Sequence, residues 1–401
     1  KTCASINAFH HLPFVTGTPR RREIPLLVSP IMDNLPAMIP LASIVFASYA
    51  LILLWLAAGL IRLPRPHLAS SPPPFLSVIV AARDEAVHLE TCLEALSRQE
   101  YPGEWELFII DDQSVDRSPD IAREAAARHP GWHTAGNDFV GRWRSSKKGA
   151  LETAFLRARG ELLLFTDADC TPPPQWLAGM AAAMGSESVL CAGFSPLVAP
   201  DASRLWRAFL LVDTLAAALV AAGGIGHGRG ITCSGRSLAC RRHILSEIGG
   251  YDALPDTLSG DDDFLLQAVA SSGRHRLIYA LAPSTAVPAQ GPSGWRAFIR
   301  QKRRHLSAGS RYKLPIQLGY TLYHSANLLL WSTPLVGLIH RPLLLFLPAK
   351  IILDGLVLFL WSSRLHQPFS LAGLLAWEPL FPLYHLVAFP RWGEEISWKT
   401  R

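Results

Sequence analysis

Charge is scarce in this chain. Of 401 residues, 17% are Asp, Glu, Lys or Arg and 49% are hydrophobic, where about 25% charged is usual for a soluble protein. The apolar excess is not spread evenly but gathers near both ends, which leaves roughly 240 residues for one water-soluble domain with a sizeable core. Paired cysteines are missing too. Cys3, Cys92, Cys170, Cys191, Cys233 and Cys240 form no Cys-x-x-Cys pair and no metal-ligand spacing, so they are read as reduced core residues of a cytosolic compartment. Zinc-finger and homeodomain patterns are absent as well. The net charge of +6 is therefore read as the flanks of membrane segments drawn to anionic lipid, and no nucleic-acid partner is expected.

Long apolar runs are what the chain has in place of charge. Residues 36–61 carry no charged side chain, and about 20 apolar residues suffice to span a bilayer. A transmembrane helix is predicted over 36–62; the run is too long for a signal peptide, and no small-residue cleavage site stands out. Arg62 and Arg65 favour a cytoplasmic C-terminal flank, while Arg20, Arg21 and Arg22 upstream pull the other way. The chain opens on Lys1, and residues 1–31 show no periodicity. With Met32 and Met38 just ahead of the membrane segment, residues 1–31 of an N-terminal arm at 1–35 are expected to be an over-extended reading frame or disordered. Residues 63–74, rich in Pro and Ser, read as a linker. A catalytic domain is expected over 75–310, membrane helices over 311–390 (apolar stretches 316–339, 343–361 and 371–389) and a tail over 391–401. Lys350 and Asp354 are spaced for an i,i+4 pair, with Glu378 also inside the membrane region. Such groups fit a functional site, plain structural pairing or an interfacial helix equally.

Between the apolar ends, strands and helices alternate. Apolar, β-branched runs at 75–82, 105–112, 161–169 and 189–194 read as buried strands, and 88–99, 119–129 and 146–159 as helices, with Ser118-Pro119 supplying a cap and first turn. This alternation implies an α/β domain with a mostly parallel sheet. No internal repeat is present. Gly223, Gly224, Gly226, Gly228 and Gly230 crowd one segment, but no strand precedes it as a dinucleotide fingerprint requires; it is read as a flexible loop, with His227 a loop residue.

Acidic clusters close the predicted strands, where open α/β sheets place ligand groups. Asp111 and Asp112 end the second strand and can accept hydrogen bonds from a base or ribose; capping of a turn is the plain alternative. Asp167 and Asp169 end the third, where two carboxylates one residue apart can help hold Mg2+ or Mn2+ against a diphosphate leaving group. Asp261, Asp262 and Asp263 precede an apolar helical run; one is expected to cap the helix, and another to serve as a general base. The segment 294–305 sets Trp295, Phe298 and Ile299 beside Arg296, Arg300, Lys302, Arg303 and Arg304, as a membrane-surface helix or as a phosphate and acceptor contact. Lys147-Lys148 reads as a solvated pair or a phosphate contact.

Taken in order, these residues resemble the family 2 glycosyltransferases of GT-A fold over about 75–310, and the flanking apolar segments look like those of membrane-bound members. Val78–Glu85 resembles the opening strand and nucleotide-contacting turn, Asp111-Asp112-Gln113-Ser114 the Asp-Asp-x-Ser element, and Lys147–Leu151 the Lys-Gly-x-Ala-Leu stretch. Asp167-Ala168-Asp169 is similar to the metal-binding Asp-x-Asp, Gly260–Phe264 to Glu-Asp-x-Asp-Leu, and Gln301–His305 to Gln-x-x-Arg-Trp. The resemblance implies Asp169, with Asp167, at the metal, and Asp261 as catalytic base with Asp262 as its rival. It also implies Arg83, Asp84, Glu85, Asp112, Lys148, Gln301 and Arg304 on substrate. The implied reaction moves a sugar, with inversion, from a nucleotide-sugar donor (UDP by resemblance) to a hydroxyl of a lipid or lipid-linked acceptor. The implied setting is a multi-pass cell-membrane protein with a cytoplasmic catalytic domain. His305 stands where the processive branch has Trp, which favours single transfer. A processive polysaccharide synthase, a silent membrane scaffold and a nucleotidyltransferase are the alternatives.

Overall fold

The computed structural model describes residues 35–63 and 72–388. The N-terminal arm with Cys3, most of the linker, and the tail lie outside the described residues. The chain enters through helix α1 (Leu35–Arg62) and then builds β1 (Leu76–Ala82), α2 (Leu89–Ser97), β2 (Trp105–Asp111), α3 (Ser118–Arg128), β3 (Trp132–Gly136), α4 (Ser146–Arg157) and β4 (Leu162–Asp167). It continues with α5 (Trp176–Met184), β5 (Ser188–Gly193), β6 (Leu197–Val198), α6 (Arg204–Gly226), β7 (Leu238–Arg241), α7 (Arg242–Glu247), α8 (Asp261–Ser271), β8 (Arg276–Ala280) and β9 (Ala289–Gln290). Helices α9 (Trp295–Gly309), α10 (Leu314–Gly337), α11 (Phe346–Arg364) and α12 (Leu371–Ala388) close the described chain.

The strands form a seven-stranded sheet in the order β3-β2-β1-β4-β7-β5-β8, with β6 and β9 paired beside it. All the ladders are parallel except those of β7, which runs against both β4 and β5. All seven residues of β1 are buried, as expected where helices cover both faces of a parallel sheet and the strand reads as one apolar run. Helix α4 packs on β1 and β2, α5 on β5 and β8, and α6 on β6 and β8. In register, Ala82 lies opposite Asp111 and Ala81 opposite Asp167. The carboxyl ends of β1, β2 and β4 therefore share one edge. Because β7 is antiparallel, the residues just before it, ahead of Leu238 opposite Phe165, arrive at that same edge.

The glycine-dense segment is not a loop over its first half. Gly223, Gly224 and Gly226 lie in the last turns of α6. A Cβ on Gly226 would stand 1.9 Å from the Gly59 carbonyl oxygen, and one on Gly59 would stand 2.0 Å from that of Gly223. The glycines let α1 and α6 cross backbone to backbone. His227 caps that crossing, its ring stacked on Trp55 at 4.3 Å. Ser118 also departs from expectation: its hydroxyl accepts from the Glu85 amide and makes no cap bond, because Arg117 takes the N-cap position.

Among the described residues four helices are long and apolar enough to cross a membrane: Ala37–Arg62, Arg204–Gly226, Arg341–Arg364 and Leu371–Ala388. The second was expected inside the catalytic domain, and two-thirds of its apolar window (67%) is buried in the protein, against 28% for the first. It is a layer between the sheet and the outer helices. Helix α10, expected as a span at 316–339, forms but is not among the four, since Gln317, His324, Ser325 and Asn327 break its apolar run. Lys350 pairs with Asp354 at 2.9 Å and also with Glu378, and the Tyr49 hydroxyl donates to Asp354 at 2.8 Å. The three ionisable side chains pair with one another between α11 and α12, with Tyr49 of α1 joining them, while Oε1 of Glu378 has no hydrogen-bond partner among the described residues.

Candidate active site

The common strand edge concentrates the polar residues. Beyond β1 the backbone turns through Asp84, whose φ of 50° is left-handed and costs a non-glycine residue energy unless neighbours hold it. They do: the Asp84 amide donates to Ser114 Oγ at 2.9 Å, its carboxylate accepts from the Val115 amide at 2.8 Å, and the Ala86 amide donates to Asp116 at 2.9 Å. Arg83, Asp84 and Glu85 thus form one rigid turn with the loop after β2.

Asp112 is fully buried and committed. It accepts from Asn137 Nδ2 at 2.7 Å and from Arg83 at 3.3 Å, and Arg83 also donates to Ser146 Oγ at 2.9 Å. Its neighbour Asp111 is part-exposed, takes the Ser114 amide on Oδ2, and leaves Oδ1 without a hydrogen-bond partner among the described residues. An unpartnered buried acceptor is costly; the open oxygen at this strand end is Oδ1 of Asp111, while both oxygens of Asp112 are taken by Arg83 and Asn137.

Lys148 is likewise turned away from the cleft. Its ammonium donates to the Leu254 carbonyl at 2.7 Å and lies over the Trp143 ring. Lys147 faces inward and pairs with Asp167 at 2.5 Å. Burial works against the Lys147 charge, but Asp167, Asp262 and Asp261 outweigh it and hold its pKa above the ordinary value. Asp167 is correspondingly held low: burial would raise it, but Lys147, Arg236 and Arg304 prevail. Asp169 goes the other way, pushed up by burial and by the Asp167 charge beside it. Its Oδ1 accepts the Cys170 thiol at 3.6 Å.

A divalent cation fits this pair. Asp169 is a carboxylate short of positive charge next to a second carboxylate, and both offer the hard oxygens that Mg2+ or Mn2+ takes. Among the described residues no group of three or more His, Cys, Asp or Glu could hold a metal. The remaining ligands would be diphosphate and water oxygens, the usual arrangement for these ions.

The N-terminus of α8 supplies the next wall. Gly260, at φ 90°, turns the chain where a Cβ would stand 2.7 Å from that of Ala308, so α8 and α9 meet closely there. The three aspartates that follow have different partners. Asp263 accepts from Thr232 Oγ1 at 2.7 Å, from the Cys233 amide at 2.9 Å, and from the Tyr312 hydroxyl; burial and Asp262 still lift it to about 7. Asp262 accepts the Gly235 amide at 2.6 Å. Asp261 has one long contact, Ser145 Oγ at 3.4 Å; burial first and Asp262 second raise it to about 6, against Lys147 and Lys148. A carboxylate with few partners and a pKa near the working range suits proton acceptance.

Helix α9 uses two faces. Lys302 is bonded outward to Asp213 of α6 at 2.5 Å, where Trp377 and Tyr384 also donate. Arg304 lies close enough to Asp167 to lower its pKa, and Gln301 keeps Oε1 buried without a partner. His305 is exposed. Arg236 was not singled out by sequence. It precedes the antiparallel β7, so nothing in a parallel α/β pattern brings it to the edge, and Ser234-Gly235-Arg236 carries no motif. Asn137 and Tyr312 were also missed, because their contacts to Asp112 and Asp263 are made across the fold, between residues far apart in sequence.

Comparison with known proteins gives the family and the fold. The model for glycosyl transferase family 2 matches residues 77–238, and that for glycosyl transferase family group 2 matches 162–392. A probable glycosyltransferase of Bacillus subtilis (strain 168), YdaM, is 26% identical over 60% of this chain and 56% of its own length. A beta-monoglucosyldiacylglycerol synthase of Synechocystis sp. is 25% identical over 80% of this chain and 62% of its own. The chain thus spans little more than half the length of these relatives. Among solved structures, a mannosyltransferase from Pyrobaculum calidifontis in complex with GDP-Man and Mn2+ superposes with a TM-score of 0.56 at 20% identity, covering 90% of this chain and 100% of that one, which shows the shared GT-A fold. The chain belongs to the family 2 glycosyltransferases.

Proposed function

We propose that this glycosyltransferase moves a sugar from a nucleotide-diphosphate donor to the hydroxyl of a lipid or lipid-linked acceptor at a membrane surface, in one inverting step. The observation that carries the reading is Asp261: a buried carboxyl raised to about 6, with one long hydrogen bond, beside the Lys147–Asp167 pair. Asp261 would take the acceptor proton as the acceptor oxygen bonds to the sugar's anomeric carbon. The bond from that carbon to the diphosphate breaks, and the nucleoside diphosphate leaves. Asp111, with its open Oδ1, and the Arg83–Glu85 turn would hold the nucleoside. Asp169 and Asp167 would hold Mg2+ or Mn2+, which when bound supplies Lewis-acid stabilisation of the leaving diphosphate. Lys147, Arg236 and Arg304 add fixed positive charge, and Gln301 offers its open oxygen to the acceptor.

The exposed apolar surface of α1 and α11, such as Leu51 and Ile352, supports a bilayer setting. Arg62 at the end of α1 favours a cytoplasmic catalytic domain. The experiment is transfer of labelled sugar from a panel of nucleotide sugars, with Mn2+ or Mg2+, to a membrane lipid extract. Label in the organic phase from one donor, abolished by chelator, is expected. Release of pyrophosphate instead of a nucleoside diphosphate would contradict the reading, as would label confined to a water-soluble polymer.

A further inference from the structure

A second cavity lies among the apolar helices. Helices α1, α6, α10 and α11 enclose a groove of about 830 Å3, within the size range of small-molecule clefts. Its walls are apolar, with Leu53, Leu56, Leu219, Ile316 and Leu322 among them. Asp354 also lines it but is occupied by Lys350 and Tyr49. Three of the four walls, α1, α6 and α11, are candidate spans, and α1 and α11 present exposed leucine and isoleucine on their outer faces. In a bilayer the groove would open among hydrocarbon chains.

The rim nearest the catalytic domain is polar. It carries Arg229, Lys313, Gln267 and Ser271. Arg229 and Lys313 are exposed, and neither pairs with a carboxylate among the described residues. Lys313 is held at the last turn of α8 by the Ser271 hydroxyl and the Gln267 carbonyl. The groove also adjoins the acidic site. Its wall residue Tyr320 packs on Tyr312 at 6.3 Å between ring centroids, and Tyr312 donates to Asp263.

The geometry points to a lipid-binding groove: it takes the hydrocarbon chain of an anionic, phosphate-bearing membrane lipid, with Arg229 and Lys313 receiving the phosphate. This assignment rests on the reading above in making that lipid the acceptor. Apolar walls open to the bilayer select a chain, and an uncompensated pair of cations at the water-facing rim selects a negative head group.

Gly319 gives the test. It lines the groove, and a Cβ built there meets nothing within 4 Å, so Gly319→Leu fills the space without a backbone clash. Full-length protein in phosphatidylcholine nanodiscs would be irradiated with a diazirine-tagged hexadecyl phosphate, or with the matching hexadecanol, and the labelled peptides mapped by mass spectrometry. Labelling of α1 and α10 groove peptides by the phosphate probe should fall at least five-fold in Gly319→Leu. It should also fall in Arg229→Gln/Lys313→Gln, which should leave labelling by the alcohol probe as it was. Gly319→Ala, with an unchanged elution profile, should give an intermediate loss. Leu335→Phe, on the exposed part of α10, should give none. Labelling that is unchanged in Gly319→Leu, or that maps away from the groove, would overturn the assignment. So would equal loss of both probes in the double variant. No donor or turnover is involved, so the groove and the transfer reaction fail separately.

Discussion

Asp261 and Asp263 are two residues apart on one helix and yet differ in what they can do. Asp263 is spent on Thr232, Cys233 and Tyr312, whereas Asp261 has one long contact with Ser145. With its pKa raised to about 6, Asp261 is ionised above that pH and neutral below it. Transfer should therefore decline on the acid side with an apparent pKa near 6, read from kcat/KM of the free enzyme against pH. The sign for stability is opposite. A carboxyl raised above its unfolded value binds protons more tightly in the folded state, so its contribution is favourable at low pH and lost as pH rises from about 4 through 6. Asp261→Asn should unfold at a higher temperature than wild type at pH 8, with the gap shrinking as pH falls and closing near pH 4, by scanning calorimetry in detergent. At this scale the sequence was legible where chemistry sits at strand ends. It was not legible where a side chain chooses between two directions: Lys147 and Lys148 are neighbours of one type, and the helical turn alone decides which meets Asp167. Asp111 and Asp112 differ in the same way, one with an open oxygen and the other fully bonded.

At the scale of elements, the parallel sheet was legible because β1, β2 and β4 are unbroken apolar runs. Arg236 was hidden because it enters on a strand of opposite direction. The glycines of α6 misled for a physical reason: glycine marks a turn and a close helix crossing alike, and the partner that distinguishes them, Gly59, lies more than 160 residues away in sequence. Gly226→Ala should push α1 and α6 apart and destabilise the protein by about 1–3 kcal/mol. Gly319→Ala, in open space within α10, should stabilise it by up to about 1 kcal/mol. Thermal unfolding of the two variants side by side checks both signs. Helix α9 is tied to the bundle through Lys302 and Asp213. Lys302→Met strands a buried carboxylate and should cost about 3–5 kcal/mol, although Lys302 touches nothing in the cleft. A far smaller loss would mean that Trp377 and Tyr384 alone satisfy Asp213.

At the scale of the whole molecule, one sheet edge carries polar turns on one side and apolar helices on the other. Helix α6 lies between them, at once a core layer and a helix apolar enough to span. Composition could not separate those roles, since both demand an apolar helix, and burial does. The Lys350, Asp354 and Glu378 cluster was legible in part: the i,i+4 pair follows from spacing, but Glu378 and Tyr49 join it through packing. In the proposed reading, Asp261 serves both an aqueous donor and a bilayer-bound acceptor. The most direct measurement is nucleoside diphosphate release by the full-length protein in lipid vesicles, with its donor and Mn2+, for wild type against Asp261→Asn. The account predicts lipid-stimulated release in wild type and a loss of about 100-fold or more in the variant, the scale of a missing general base. Full lipid-stimulated release by a folded Asp261→Asn protein would contradict it.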